Sequence, residues 1–325
     1  MKTMVRFEYG SPDVLELTDV DVPVVGDDGV LVRVRAASLN AADLDYLYGK
    51  PLLTRMGTGL LKPRNRGLGL DVAGQVEAVG RDVTTLKPGD EVFGDMTEHG
   101  YGAFAELAAA PERAWAPKPA GLTFEEAATI PQAAILALQG QRGRGRRVQP
   151  GLRVLVNGAS GNVGPFAVQI AKAFGAEVTG VCSTGKMDLV RELGADHVID
   201  YTREDVSRGG RRYDWIVDVA GNHSILGWRR ALRPGGVYVM VGGPTSRILG
   251  ALLLGPLISL AGSRTMGLLL WWKPFAREDV AVLVELIEAG RIAPVIDRRY
   301  PLTEVPDALR YLKAGRARGK IVITM

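Results

Sequence analysis

At 325 residues, with 46% hydrophobic and 23% charged residues, the chain has the composition of an ordinary soluble globular protein and the length of about two domains. A net charge of +4, from 40 basic and 36 acidic residues, is too slight to indicate a nucleic-acid partner by itself. The single cysteine, Cys182, excludes an intramolecular disulfide and any zinc site built from several cysteines.

The first residues, MKTMVRFEYG, alternate like a strand and lack the apolar core of a secretory leader, so a cytoplasmic location is expected. Up to about residue 118 the pattern is of short alternating strands and glycine turns: LVRVRAAS, VAGQVEAVG, GDEVFGD. That predicts a small β-rich domain. The proline-studded AWAPKPA (114–120) reads as a boundary, and FEEAATIPQAAILALQGQR after it as helix. RGRGRR (142–147) carries no interleaved aromatic residue and reads as a solvated loop, with RNA binding as its rival.

From residue 154 strand and helix signals alternate. EVTGVC, HVID, DWIVDVAG and GGVYVMVGG are separated by helical pieces such as KMDLVRELGA, which implies βαβ units and a parallel sheet. Residues 248–272 approach the length of a membrane span, but Arg264, Pro256 and internal glycines argue against one. A buried or interface-forming helix followed by a strand is expected there, with no membrane partner. The tail returns to helix, turns, a second helix and a terminal strand.

Within VLVNGASGNVG (154–164), Gly158, Gly161 and Gly164 stand at spacing G-x-x-G-x-x-G, and PFAVQIAKAFGA follows as helix. A strand–turn–helix junction of this kind offers backbone N–H groups and the positive end of the helix dipole to a pyrophosphate. Gly158, Ala159, Ser160, Gly161, Asn162, Val163 and Gly164 are therefore candidate cofactor contacts. After the second strand, an acid would be expected to meet a free ribose 2′-hydroxyl. The chain instead has Ser183, Thr184, Gly185 and Lys186, with Tyr201 after the next strand. Hydroxyls and an ammonium suit a phosphomonoester, so NADPH is expected in preference to NADH.

These blocks carry a resemblance. ASLNAADLDYLYGKP (37–51), GLDVAGQVEAVGRDVTTLKPGDEVFG (69–94), the glycine-turn segment, LGADHVIDY (193–201) and GRARGKIVI (315–323) occur in the order found in the medium-chain dehydrogenase/reductase superfamily. The chain resembles its zinc-free quinone oxidoreductase branch over essentially its whole length. The resemblance implies an α/β fold: a Rossmann-type parallel-sheet domain (121–275) inserted in a β-rich catalytic domain with a partly open barrel (1–120 and 276–325). It implies a cleft where the nicotinamide lies and a homodimer joined through sheet edges.

It also implies site residues. Asn40 matches an asparagine near nicotinamide and substrate, Tyr46 is a candidate proton donor or ring-stacking wall, and Asp43 would cap the local helix. Val241, Gly242 and Gly243 should bring bare backbone near the nicotinamide, and Arg318 could reach the 2′-phosphate. Leu136 stands where many relatives carry threonine. Zinc-dependent relatives have a cysteine in the segment held here by Ser38-Leu39-Asn40, and a histidine where this chain has Leu70. Zinc is therefore not expected. Without a Lewis acid, reduction of a quinone or an α,β-unsaturated carbonyl is the favoured reaction, because conjugation spreads the charge that hydride leaves behind. The rivals are a carbonyl or alcohol oxidoreductase, and a nucleotide-sensing or RNA-binding protein on a reductase scaffold.

Overall fold

The computed structural model describes residues 1–52, 54–143 and 145–325. In chain order it begins with β1 (Lys2–Arg6), β2 (Leu15–Asp19), β3 (Gly29–Ser38), α1 (Ala41–Tyr48) and α2 (Thr54–Thr58). There follow β4 (Asp71–Val79), β5 (Glu91–Asp95), β6 (Leu107–Pro111), β7 (Trp115–Pro117), α3 (Phe124–Ala127) and α4 (Pro131–Gly140). A short hairpin, β8 (Arg142–Gly143) and β9 (Arg146–Arg147), leads to β10 (Arg153–Asn157), α5 (Gly164–Ala173), β11 (Glu177–Cys182), α6 (Met187–Glu192) and β12 (His197–Asp200). Then come β13 (Tyr213–Asp218), α7 (Ile225–Ala231), β14 (Leu232–Met240), α8 (Thr245–Leu260) and β15 (Thr265–Leu268). The chain closes with α9 (Arg277–Glu288), β16 (Ile296–Pro301), α10 (Val305–Lys313) and β17 (Lys320–Thr324).

Contacts divide the chain into two units. Unit 1 is residues 1–133, 274–284 and 294–325; unit 2 is residues 134–273 and 285–293. In unit 1 a sheet runs β16-β17-β3-β4-β5-β7, with β6 also on β3, and β1 pairs β2 separately. Its core takes Val30, Val32 and Val34 from β3, with Val92, Phe104, Leu309 and Ile321. β3 is buried at every position except Arg33 and Arg35, so both of its faces are largely covered. The AWAPKPA stretch is not a free linker: Trp115–Pro117 is β7, antiparallel to β5.

Unit 2 is the expected parallel sheet, six strands in the order β12-β11-β10-β13-β14-β15. Val154, Leu155 and Val156 of β10 are fully buried, as a strand covered on both faces requires. α5 seals one face with Phe166, Val168 and Ile170, each burial worth about 1.5–3 kcal/mol. The order reverses direction between β10, β11 and β13, which places a topological switch at the C-terminal end of β10. Arg142–Gly143 and Arg146–Arg147 pair antiparallel, with Arg146 and Arg147 exposed; Trp271 lies against Gly143 and donates its indole N–H to the Arg142 carbonyl at 3.1 Å. Arg144 lies outside the described residues.

α8 and β15 occupy the apolar stretch expected as helix and strand. The helix packs through its small residues: a Cβ on Gly255 would stand 2.7 Å from the Met266 carbonyl. Leu253, Leu257 and Leu260 are exposed, in line with the interface-forming alternative. No described helix is long and apolar enough to cross a membrane.

Candidate functional site

In unit 2 the three glycines perform separate tasks. Gly158 takes φ +85° to turn the chain out of β10, and Gly158 and Ala159 donate their N–H groups to the Val181 carbonyl at 3.1 and 3.0 Å. Gly164 opens α5 in close contact, since a Cβ there would lie 2.1 Å from the Gly158 oxygen. Gly161 is different. A Cβ on it would meet nothing nearer than the Gly158 oxygen at 3.6 Å, so its side is open. Ser160, Asn162 and Val163 complete the turn, and α5 has no acid in its first turn. An open glycine face at the amino end of a ten-residue helix fits a pyrophosphate.

At the other loops, bare backbone meets bare backbone. Gly221 (φ +60°) and Gly243 (φ +142°) pack so closely that a Cβ on Gly243 would be 2.8 Å from the Gly221 Cα. Val241 donates its N–H to the Asp218 carbonyl at 2.8 Å, and Gly242 continues the loop. The organiser is Asp218, which the sequence reading passed over as the end of an apolar strand. Its carboxylate accepts from Asn157 Nδ2 (2.6 Å), Gly221 N–H (2.8 Å), Trp228 Nε1 (2.8 Å) and Tyr238 Oη (2.9 Å).

The end of β11 holds a surprise. β11 itself has no acid there, but the parallel register sets Cys182 beside Asp200 of β12. Thr184 Oγ1 donates to Asp200 at 2.5 Å, and Thr202 donates through N–H and Oγ1. These bonds hold the Asp200 carboxyl below its usual range. Thr184 is thus committed to a carboxylate, which leaves Ser183 and Lys186 as the candidate phosphate partners, with Tyr201 half exposed beside them.

In unit 1, Asn40 precedes α1 and its backbone N–H donates to Asp43 Oδ2 at 2.7 Å. Gly49 ends the helix in the left-handed region. Below Asn40 lies the residue the sequence did not reveal. Lys320, 1% exposed, donates to the Leu39 carbonyl (3.0 Å), Asn40 Oδ1 (2.7 Å) and Asp71 Oδ2 (3.1 Å). An ammonium has three donors and no acceptor, so all are satisfied. The atom of Asn40 that faces it must be the amide oxygen. Asn40 Nδ2 consequently points away as a donor, buried and with no hydrogen-bond partner among the described residues.

Tyr46 packs its ring against Tyr101 at 4.5 Å between centroids. Burial first, then Tyr101, Asp43 and Asp95, push the Tyr46 phenol well above its ordinary range, so it is a poor acid and a good neutral donor. Tyr101 itself sits at φ +65°, strained for a bulky residue. Tyr48 accepts from Lys313 at 2.8 Å. Arg318 is exposed, its backbone N–H bound to Asp297 at 3.1 Å.

Arg6 Nε, Nη1 and Nη2, Asp43 Oδ1 and Asp95 Oδ2 are also buried and have no hydrogen-bond partner among the described residues. Each such group costs about 1–3 kcal/mol, more for a charge; in unit 2, Gln141 Oε1, Asn157 Oδ1, Tyr213 Oη and Trp272 Nε1 are in the same condition. Asp95 borders a cavity of about 200 Å³ lined also by His99, Arg113 and Phe275.

Burial pushes the Asp43 carboxyl up to about 7, and burial with the neighbouring Asp71 pushes Asp95 up to about 7. Both lie above the unfolded value of about 4, so the folded chain binds more protons between those limits. The stability they confer is complete below the lower value and is lost as pH rises through about 7. Urea unfolding should therefore give a higher midpoint at pH 5.5 than at pH 8, and Asp43→Asn with Asp95→Asn should flatten the difference. A wild-type midpoint that rises with pH would contradict this.

Residues 26–120 match the family described as alcohol dehydrogenase GroES-like domain, and residues 193–323 that described as zinc-binding dehydrogenase. Over 99% of its length the chain is 36% identical to the 2-methylene-furan-3-one reductase of Solanum lycopersicum, of which it covers 79%. It is 34% identical over 100% of its length to the mitochondrial NAD(P)H oxidoreductase RTN4IP1 of Bos taurus, covering 89% of that protein. The structure of the quinone oxidoreductase from Coxiella burnetii superposes with a TM-score of 0.87 at 29% identity, covering 100% of this chain and 99% of that one.

The zinc named by one matching family does not fit the residues here. Leu70 is fully buried, Ser38 Oγ donates to the Ala128 carbonyl at 2.8 Å, and Asp71 already binds the ammonium of Lys320. Among the described residues no group of three or more His, Cys, Asp or Glu side chains could hold a metal ion.

Proposed function

The chain belongs to the medium-chain dehydrogenase/reductase superfamily, in its quinone oxidoreductase-like branch, and on that footing we propose that it transfers hydride from NADPH to a quinone or an α,β-unsaturated carbonyl without zinc. At the coarser level it is an NAD(P)H-dependent oxidoreductase of the quinone and enone reductase group. The observation that carries the finer reading is Lys320 seated on Asp71: the carboxylate that could have served a metal is paired with the chain's own cation. With no Lewis acid to polarise it, the acceptor must delocalise its new negative charge, and conjugated carbonyls do so. The tomato relative's name describes a reductase of such a compound.

Bound NADPH would supply the hydride. Gly158–Gly164 would hold its pyrophosphate, and Ser183, Lys186 and Tyr201 its 2′-phosphate, with Arg318 a further candidate. Val241, Gly242 and Gly243 would border the nicotinamide. Asn40 Nδ2 and the Tyr46 hydroxyl would donate to the acceptor. The reading includes a cytoplasmic site of action. It also includes a homodimer through β15, which ends the six-stranded sheet with no further strand beside it among the described residues, next to the exposed leucines of α8.

Steady-state assays with NADPH and a panel of quinones, enones and saturated ketones test the reading. Oxidation of NADPH by the conjugated acceptors alone is expected. Turnover of saturated ketones but not enones would overturn it in favour of a carbonyl oxidoreductase. Lys186→Ala combined with Ser183→Ala should weaken NADPH far more than NADH, since each charge-assisted contact is worth about 1.5–3 kcal/mol. Equal loss for both coenzymes in a binding titration would place the phosphate elsewhere.

A further inference from the structure

α8 leaves a stripe of leucines in water. Leu249, Leu253, Leu257 and Leu260 recur at spacings of four, four and three, so they lie along one side of the helix. All four are exposed, Leu253 at 65% and Leu260 at 86%. The packed side is the opposite one. Ala251 and Gly255 are buried, and Gly255 lies directly against Met266 and Gly267 of β15. The stripe is therefore turned away from the sheet, an exposed apolar patch of the kind that marks an interaction surface.

Its surroundings carry one sign of charge. Residues 219–277, from the residue after β13 to the first of α9, contain seven arginines and lysines and no aspartate or glutamate, although the chain has 36 acidic residues. Arg247 in the first turn of α8 is exposed, as are Arg229 and Arg230 of α7, the helix that packs on α8. A cation at a helix N-terminus opposes the helix dipole, so Arg247 is not there to stabilise α8.

We propose that the outer face of α8 docks this protein on an anionic lipid surface, the leucines entering the headgroup boundary and the arginines meeting lipid phosphates. At sixteen residues the helix is too short to cross a bilayer, and Pro256 interrupts it, but a helix that lies in the surface needs no span. The chemistry of the face favours lipid over protein. The stripe is wholly aliphatic, without the tyrosine or tryptophan anchors that carry protein interfaces, whereas a bilayer asks only for apolar side chains with cations beside them. A second copy of this chain fits less well, because two-fold pairing through this face would set the same arginines toward one another. The homodimer proposed above joins through the edge of β15 and does not require the outer face of α8.

The test is cosedimentation of the protein with vesicles of phosphatidylcholine, alone or mixed with phosphatidylglycerol. Wild type should bind the mixed vesicles about tenfold or more tighter than the neutral ones, and added salt should weaken that binding by screening the charges. Leu253→Glu combined with Leu257→Glu should lower binding to the mixed vesicles about tenfold or more, by removing apolar contact and adding repulsion. Both side chains are exposed, so thermal unfolding should be close to that of wild type. Arg229→Ser with Arg230→Ser and Arg247→Ser leaves the stripe intact and should also cost about tenfold or more. Failure of wild type to bind the mixed vesicles would overturn the proposal, and so would undiminished binding by either variant. If wild type ignores vesicles and the leucine variant turns a dimer into a monomer in sedimentation velocity, the stripe belongs to a second copy instead. The assay contains no coenzyme or acceptor, so its outcome is independent of the reaction proposed above.

Discussion

Gly161→Val is expected to abolish coenzyme binding in a protein that still folds, whereas Gly164→Val, in the same motif, is expected not to fold. The difference lies in what a new side chain meets. At Gly161 the nearest atom to a Cβ is 3.6 Å away, so a side chain fits the protein there and would fill the place proposed for the pyrophosphate. Excluding that group from the turn would weaken binding by about 100-fold or more. At Gly164 the Cβ would stand 2.1 Å from the Gly158 oxygen and 2.5 Å from the Ala159 carbonyl carbon. Backbone cannot yield there without breaking the turn. Calorimetric titration with NADPH, alongside thermal unfolding, separates the two outcomes. Retention of NADPH affinity by Gly161→Val would mean that the coenzyme does not rest on this turn.

The second large effect concerns Lys320. Lys320→Met removes one partner of a fully buried pair and leaves Asp71 charged, with only Ser38 Oγ (3.2 Å) and the Gln132 N–H (3.1 Å) to meet it. Such a change costs about 3–5 kcal/mol, a large part of the 5–15 kcal/mol that holds a domain together. Combining it with Asp71→Asn removes the stranded charge and should restore most of the loss. Urea unfolding of both variants measures this. A Lys320→Met midpoint within about 1 kcal/mol of wild type would show that the pair is not what stabilises this corner.

What could be read without coordinates was whatever the backbone imposes locally. The glycine turn was legible because a tight exit from a strand and a close helix approach both demand glycine, at fixed spacing, inside one βαβ unit. The parallel sheet was legible because its buried strands are continuous apolar runs. The lack of zinc ligands was legible because metal chemistry restricts residue types.

Contacts made across the sheet were not legible. Lys320 opens the strand KIVIT and carries no periodic signal of burial; only the pairing of β17 with β3 brings it to Asn40 and Asp71. Asp200 meets Thr184 because β12 lies beside β11 in register, so the acid absent from one strand arrived from its neighbour. Arg6 stands in the alternating opening stretch, and nothing in that pattern signals that it is fully buried. For α8 helix and following strand were legible, but not which face packs, since uniform hydrophobicity cannot distinguish two apolar faces and the packed one uses small residues such as Gly255.

The claim beneath all of this is direct hydride transfer from NADPH to a conjugated carbonyl with no metal at the acceptor. NADPH carrying deuterium at the transferable position of C4, mixed with chelator-treated enzyme and an enone, tests it in one measurement. Deuterium recovered at the β-carbon of the product, with turnover slowed by the isotope, is the expected result. Product free of deuterium at that carbon, or turnover that returns only when a divalent metal is restored, would contradict it.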